Sequence, residues 1–417
     1  MSQKKILLIT YYFPPLGGAG IGRPLALFQN LPLHDYECHV LTVKPVLYRA
    51  YEPELLRELD NSKIFRAGSR DPSRLLYIFG VRNISTKTAD YSQIVSKGFF
   101  PDSKGGWIQP GIRMGKKLVK RHNYDLIVST SPPISAHVVA KELSQEYGIP
   151  WVADFRDFWT SYKAERYFFN SDAKRQKAKQ LLNDIKSSAK SIVAVNDSVA
   201  KYVGADSVIT NCYDSQLAKL WKKPRTKDIF TIGVFGTISE LTPIYPLIEV
   251  LKSVKQNEPE IYSRIRVLQV GQTNEEFHKD ELKKIGLNEI FDFRGFQPRA
   301  KAIEFLSEAA LFYLGVSDLG FGLTTSRIFT LLSSGRPILA YTESGSEFDR
   351  IMSNSANSFL FNDFKIEEAR KVLSKTVEKY LNGDLSIDVE PAPIREFSSE
   401  RMVEKFATLF KQALNDE

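Results

Sequence analysis

At 417 residues the chain exceeds what one hydrophobic core usually serves, so two domains are expected. Its 43% hydrophobic and 25% charged residues exclude a disordered or fibrous chain. No apolar run is long enough to span a bilayer, and Cys38 and Cys212 are too few for a disulfide framework and lack the His cluster of a zinc site.

The +8 net charge is uneven: residues 1–215 hold 30 Lys+Arg against 20 Asp+Glu, and residues 216–417 hold the remaining 27 against 29. A basic front half suits an anionic partner: a membrane surface, a lipid phosphate or nucleic acid. The start of the chain is basic, but Pro14-Pro15 and the glycines cut its apolar run short, so it does not read as a signal peptide; a reducing cytoplasm is expected.

Ile6-Leu7-Leu8-Ile9-Thr10 reads as a buried first strand. Pro14-Pro15 stops it, and Gly17, Gly18, Gly20 and Gly22 permit a sharp turn into a helical stretch, Pro24 to Leu31. Strand, glycine loop and helix N-terminus together can offer amides and a positive dipole end to phosphate. The spacing is not that of a dinucleotide fingerprint, because Arg23 takes the last glycine position and the next strand, Tyr36 to Lys44, ends without an acid. A tight turn without a ligand is the alternative.

Residues 45–106 read as irregular, with aromatics among basic residues at Arg74 to Phe79 and Lys97 to Phe100. Strands follow at Tyr124 to Ser129, Trp151 to Ala153 and Ser191 to Val195, and Val208 to Asn211 closes the half. Between them come helices at about Ser135 to Tyr147 and a lysine-rich one at Asp172 to Ser188. Trp221 to Lys227, rich in charge and proline, is the boundary.

The second half repeats the grammar, with strands at Phe230 to Phe235, Arg266 to Val270, Phe291 to Phe293, Leu311 to Val316 and Pro337 to Tyr341. Ser326 to Ser334 reads as a short helix capped by Ser326 and ended by Gly335. The last helix, Ser398 to Leu414, has an apolar stripe at Met402, Phe406, Leu409, Phe410 and Leu414. Such alternation predicts two doubly wound α/β sheets. Ligands of such sheets bind beyond the carboxyl ends of strands, which selects the loops 12–23, 130–137, 154–160, 236–242, 271–274, 294–299 and 317–327.

Those loops carry five motifs in order: YYFPPLGGAGIGR from Tyr11, SPPISAH ending at His137, PWVADFRDFW from Pro150, TNCYD from Thr210, and SRIF from Ser326 with SGRPILA from Ser334. In that order and spacing the chain resembles bacterial glycosyltransferases of family four. The likeness covers most of the chain, and from residues 45–106 it includes only Phe100-Pro101-Asp102. Trp107 belongs to it as well.

The resemblance implies a GT-B fold: two Rossmann-like doubly wound domains facing each other across a cleft. It puts an acceptor-binding domain at 1–215 and a nucleotide-sugar domain at 228–397, with the helix 398–417 returning to the first. It implies sugar transfer from a nucleotide-diphosphate donor to a glycan or lipid-linked glycan acceptor, with retained configuration, in surface polysaccharide or glycoconjugate biosynthesis. It implies no cofactor and no required metal, a cytoplasmic location at the inner face of the membrane, and a hexosyltransferase-type activity. Partners are then the nucleotide sugar, the acceptor and an anionic membrane surface, and no nucleic acid.

On this reading Gly18, Gly20, Gly236, Thr237, Phe296, Ser326, Arg327 and Thr330 hold the donor, and Arg327 meets the charge of the leaving diphosphate. Asp154, Arg156 and Asp157 orient sugar hydroxyls or assist deprotonation, or else form a structural ion pair. Arg23 and His137 face the acceptor, with a packed histidine as the alternative for His137. Lys116 to Arg121 and the Lys163–Lys190 segment suit an anionic leaflet, or are solvated faces. Gly322 and Thr330 stand where many relatives carry glutamates, and Gly236 to Pro243 has no basic residue where relatives tend to place an Arg/Lys pair. Those departures keep open a second reading, a catalytically impaired GT-B protein that binds or stabilises another glycosyltransferase.

Overall fold

The computed structural model describes residues 3–48, 50–81, 99–159, 171–224, 228–273, 275–317, 326–342, 347–353, 358–389 and 392–415. The chain divides into two compact units, Met1–Cys212 with Ser399–Glu417, and Tyr213–Ser398. Among the described residues no helix is long and apolar enough to cross a membrane.

The first unit is built on seven parallel strands: β1 Lys4–Ile9, β2 Tyr36–Val43, β3 Ile64–Ala67, β4 Leu126–Ser131, β5 Trp151–Phe155, β6 Ser191–Ala194 and β7 Ser207–Val208. Their order is β3-β2-β1-β4-β5-β6-β7, so the winding reverses between β1 and β4. The central strands are apolar on both faces because helices cover both. On one face α3 (Ile108–His122) and α4 (Ser135–Tyr147) pack together with Trp107 and α5 (Asp172–Ser188). On the other, α1 (Gly22–Asn30) meets the last helix, α15 (Ser399–Asn415).

The apolar stripe of α15 is seated there: Met402, Phe406, Leu409 and Phe410 are buried, and Tyr36 meets the Phe410 ring edge-on at 5.9 Å. Helix α1 opens at Gly22, earlier than the run from Pro24 suggests. Pro24 fits because a proline in a first turn forgoes an amide that has no intrahelical partner anyway.

Residues 45–106 are less irregular than their composition implies. They add edge strand β3, whose Arg66 interrupts the apolar run that signals a strand, and helix α2, Pro72–Ile78. Part of the aromatic-basic stretch, Lys97-Gly98, lies outside the described residues. Helix α6 (Asp197–Val203) is capped by Asn196, whose side chain accepts from Val199 N at 2.8 Å.

The second unit opens with the short helix α7 (Ser215–Ala218). Its sheet is six-stranded: β8 Phe230–Phe235, β9 Ile265–Val270, β10 Phe291–Phe293, β11 Leu311–Val316, β12 Ile338–Thr342 and β13 Ser358–Phe361, in the order β10-β9-β8-β11-β12-β13. Here the reversal falls between β8 and β11. Helices α8 (Tyr245–Asn257), α9 (Pro259–Tyr262), α10 (Glu275–Lys284), α11 (Arg299–Leu306), α12 (Arg327–Ser333), α13 (Glu347–Ser353) and α14 (Ile366–Leu381) flank it. Trp221 and Lys222 are held to this unit by buried Arg336, which donates to Lys222 O and to Ala309 O and lies over the Trp221 ring.

Candidate functional site at the strand ends

In each sheet the crevice that can admit a ligand lies where the winding reverses, because neighbouring loops there turn in opposite directions. In the second unit that place is the carboxyl ends of β8 and β11. A small, open pocket, with a cavity volume of about 10 Å³, lies there. Val234, Phe235, Thr237 and Pro243 line one side, Tyr313 and Gly315 another, and Arg327 closes it. Tyr313 OH donates to Pro243 O at 2.8 Å, and Ser317 N to Leu241 O at 3.1 Å, so the two loops hold each other.

Gly236 governs the fit. Its φ is +97°, and a Cβ there would lie 2.7 Å from Arg327 Cδ. The guanidinium is therefore packed against the turn, and Nη1 donates to Phe235 O at 2.9 Å and to Thr237 O at 3.4 Å. Burial pushes the Arg327 pKa down to about 10, which leaves the side chain cationic at neutral pH. The Gly236 amide itself is committed to Val270 O at 2.8 Å. Thr237 is exposed at the mouth.

Gly271, after β9, passes so close that a Cβ would lie 2.2 Å from Gly236 O, and its amide donates to Gly295 O at 2.9 Å. The loop after β10, with half-buried Phe296, is thereby tied to the loops after β9 and β8. Ser326 precedes α12 in a right-handed helical conformation and its side chain makes no capping bond, which corrects the expected N-cap. Thr330 is half-buried on the same face of α12 as Arg327. Position 322, with Thr324 and Thr325, lies outside the described residues.

In the first unit the reversal brings together the loops after β1 and β4, beside that after β5. Arg23 and Asp154 form a bidentate ion pair there, at 2.9 and 2.7 Å, with side chains 1% and 0% exposed. Thr130 Oγ1 donates to the same carboxylate at 2.6 Å. Arg23 Nη1 donates to Ile209 O and Thr210 O, and the guanidinium lies 4.8 Å from the Phe406 ring centroid. This corrects the expectation for Arg23 and gives Asp154 the ion-pair role that was its alternative. Arg23 is spent on Asp154 and backbone carbonyls rather than turned to an acceptor, and Asp154 neutralises Arg23 rather than offering a reacting carboxylate.

Arg156 has a different task. Its Nε donates to Ser131 O at 2.9 Å and its Nη1 to Gly20 O at 2.9 Å, so one side chain braces the β4 loop against the glycine loop. Burial lowers its pKa to about 10. Asp157, next in the chain, accepts from Phe158 N at 2.9 Å, and burial raises its carboxyl to about 6.

The glycine loop is not a set of bare amides. Gly17 N donates to Ala50 O at 2.9 Å, and Gly18 N to Glu52 Oε1 at 3.3 Å. Buried Glu52 thus takes the place at Gly18 expected for an anion; it lies in a segment outside every motif, where no pattern singled it out. Gly20 contributes its carbonyl, to Arg156, as described above.

His137 is the packed histidine. It is fully buried, Nδ1 is 2.7 Å from Ser129 Oγ, and the ring packs at a tilt against Phe155, with centroids 4.4 Å apart. Trp151 Nε1 donates to that same oxygen at 2.7 Å. Nε2 has no partner among the described atoms, and burial pushes the pKa down to about 3.

The neutral ring therefore carries stability that is present above the unfolded pKa of about 6.5. This is lost as pH falls from there toward 3, at about 1.4 kcal/mol per unit. Asp157, raised by burial, acts oppositely: its contribution is present below the unfolded value and lost as pH rises through about 6. Denaturant titrations between pH 7 and pH 4 on wild type and His137→Gln separate the two, and the variant is expected to lose the downward slope that His137 imposes.

Among the described residues no group of three His, Cys, Asp or Glu side chains is arranged to hold a metal ion.

Two parallel sheets of seven and six strands, wound in this way, match the GT-B fold. No family model matches the sequence, and no curated protein matches it. Solved structures do match over the whole length. A sucrose-phosphate synthase from Thermosynechococcus elongatus has a TM-score of 0.62 at 12% identity, over 99% of this chain and 100% of that one. An E. coli structure described as trehalose-6-phosphate, bound with UDP-2-fluoro glucose, has 0.61 at 10%, over 99% and 100%. A mutant of TarM from S. aureus, in complex with fondaparinux, alpha-GlcNAc-glycerol and UDP, has 0.60 at 10%, over 99% and 100%. At these identities the likeness is one of fold.

Proposed function

We propose that the chain is a glycosyltransferase that moves a sugar from a nucleotide-diphosphate donor to a glycan or lipid-linked glycan acceptor. The observation that carries this is the Arg327 guanidinium closing a pocket at the reversal point of a GT-B sheet. When the bond between the sugar's anomeric carbon and the diphosphate breaks, both electrons stay on phosphate oxygen. A half-buried cation, partly shielded from water, stabilises that developing charge more than one in bulk solvent does. Phe296 offers a face for the base, and Thr237, Ser326 and Thr330 offer hydroxyls at the rim.

On the acceptor side Arg156 keeps two loops in register and Asp157 supplies a carboxyl poised near neutrality, suited to receiving the proton of an acceptor hydroxyl. Retention of configuration and independence from metal belong to this proposal. So do a hexosyl donor, a role in surface polysaccharide or glycoconjugate assembly, a cytoplasmic location and an anionic membrane as the place where the acceptor is met. Exposed Arg113, Lys117, Lys120 and Arg121 along α3 suit the last point.

Two of the fold neighbours were solved with UDP or a UDP-sugar, so UDP-sugars lead a thermal-shift panel that also holds GDP-, CMP- and dTDP-sugars. One donor is expected to raise the melting temperature of wild type by a few degrees, and Arg327→Ala to abolish the rise. Arg327→Lys, which keeps the charge but not the carbonyl bonds, is expected to recover part of it. A panel in which nothing stabilises wild type overturns the reading. Thr330, where the resemblance expects a glutamate, favours the second reading of a binding partner without turnover. Stabilisation by a donor that is neither hydrolysed nor transferred would support it.

A further inference from the structure

Helix α2 and the turn after it leave apolar side chains in solvent that the proposed chemistry does not use. Leu75 is 50% exposed, Ile78 60%, Phe79 80% and Val81 45%. Elsewhere among the described residues large exposed apolar side chains stand singly or in pairs along the chain. Leu75, Ile78 and Phe79 fall at i, i+3 and i+4, one face of a helix. The opposite face is tied down. Ser73 is buried and its carbonyl accepts from Leu47 N at 2.8 Å, Arg74 donates to Pro45 O, and Tyr77 stacks on Tyr51 at 6.4 Å.

The tip is held rigidly. Val81 N donates to Leu76 O at 3.0 Å and Gly80 N to Tyr77 O at 3.1 Å, with Gly80 at φ +92°. This bond pair is that of a Schellman stop, which fixes Phe79 to Val81 in place. Exposed Arg70 flanks the ridge, and the only acid between Ser69 and Val81 is Asp71, which is fully buried.

We propose that this ridge is a membrane anchor that inserts Leu75, Ile78 and Phe79 into the interface of an anionic bilayer. Four side chains fall well short of the roughly 800 Å² per partner of a stable protein interface. A small apolar tip beside exposed Arg70, on the unit that holds the chain's whole charge surplus, suits lipid headgroups over an acyl boundary. The purpose of docking rests on the proposed acceptor chemistry, whereas the docking itself is read without any sugar.

Full-length protein is sedimented with vesicles of phosphatidylcholine alone or mixed with phosphatidylglycerol, in the absence of nucleotide sugar. Wild type is expected to bind the mixed vesicles, and Ile78→Ser with Phe79→Ser to bind about tenfold more weakly. Arg70→Gln is expected to weaken binding at low salt only. Equal binding by the double variant and wild type overturns the proposal, as does failure of wild type to bind the mixed vesicles. A fall of several degrees in the double variant's melting temperature also overturns it, because the ridge then packs within the protein. So does a wild-type dimer that the double variant abolishes. A silent donor panel with intact vesicle binding counts against the glycosyltransferase reading alone.

Discussion

Asp154→Ala is expected to destabilise the first unit by about 3–5 kcal/mol, because it leaves the Arg23 guanidinium buried without its counter-charge. The pair is fully enclosed and Thr130 adds a third bond to the carboxylate, so no water can replace the lost partner cheaply. Arg23→Met in the same chain is expected to recover much of that loss. An apolar side chain of similar length can occupy the channel between Ile209, Met402 and Phe406 without charge. Denaturant titration of the two single variants and the double variant measures the coupling. Singles that cost under about 1 kcal/mol each would place the pair in a solvated setting, contrary to its burial. Donor-induced stabilisation should survive in whatever fraction stays folded, since the pocket is lined by residues of the second unit.

Gly271→Ala carries the second large effect, this time in the second unit. An added methyl would sit 2.2 Å from Gly236 O, and backbone cannot step aside as a flexible side chain can. The loop after β8 must move, at a cost of about 3 kcal/mol, and it takes with it the carbonyls of Phe235 and Thr237 that hold Arg327. Loss of donor stabilisation is expected even at temperatures where the variant is folded. Gly295→Ala is the control: its φ is +62° but no atom lies within 4 Å of the added carbon, so only a left-handed backbone strain of about 1 kcal/mol is expected. Equal effects of the two changes would mean that the close approach at Gly271 does not govern the site.

How much of this was legible beforehand depended on what kind of signal each residue leaves. Central strands announce themselves, because Ile6 to Ile9 or Phe230 to Phe235 are short, largely apolar runs on both faces. Edge strand β3 does not: Arg66 in its middle looks like loop. Gly335 marked the end of α12 correctly, with φ +67°. Ser326 misled, since a hydroxyl in the right place signals a cap only if the backbone before the helix is extended, and here it is already helical.

The loops of the candidate site were found from topology, yet partners inside them were not. Nothing in the sequence pairs Arg23 with Asp154 rather than Arg156 with Asp154, because pairing across 131 positions is settled by sheet order. Glu52 was invisible for the same reason: its partner at Gly18 is reached only once the chain folds back.

The return of α15 to the first unit has a consequence for how the protein is made. Residues Tyr213–Ser398 are consecutive, and Tyr213 bridges directly to Ser398, so the second unit has all its parts as soon as Ser398 has left the ribosome. The first unit, begun earlier, waits longer: Met402, Phe406 and Phe410 follow the whole second unit in the chain, and until they emerge the face of α1 and β2 they cover stays wet. The amino-terminal half is thus the one that a stalled or prematurely released nascent chain leaves exposed to chaperones and proteases.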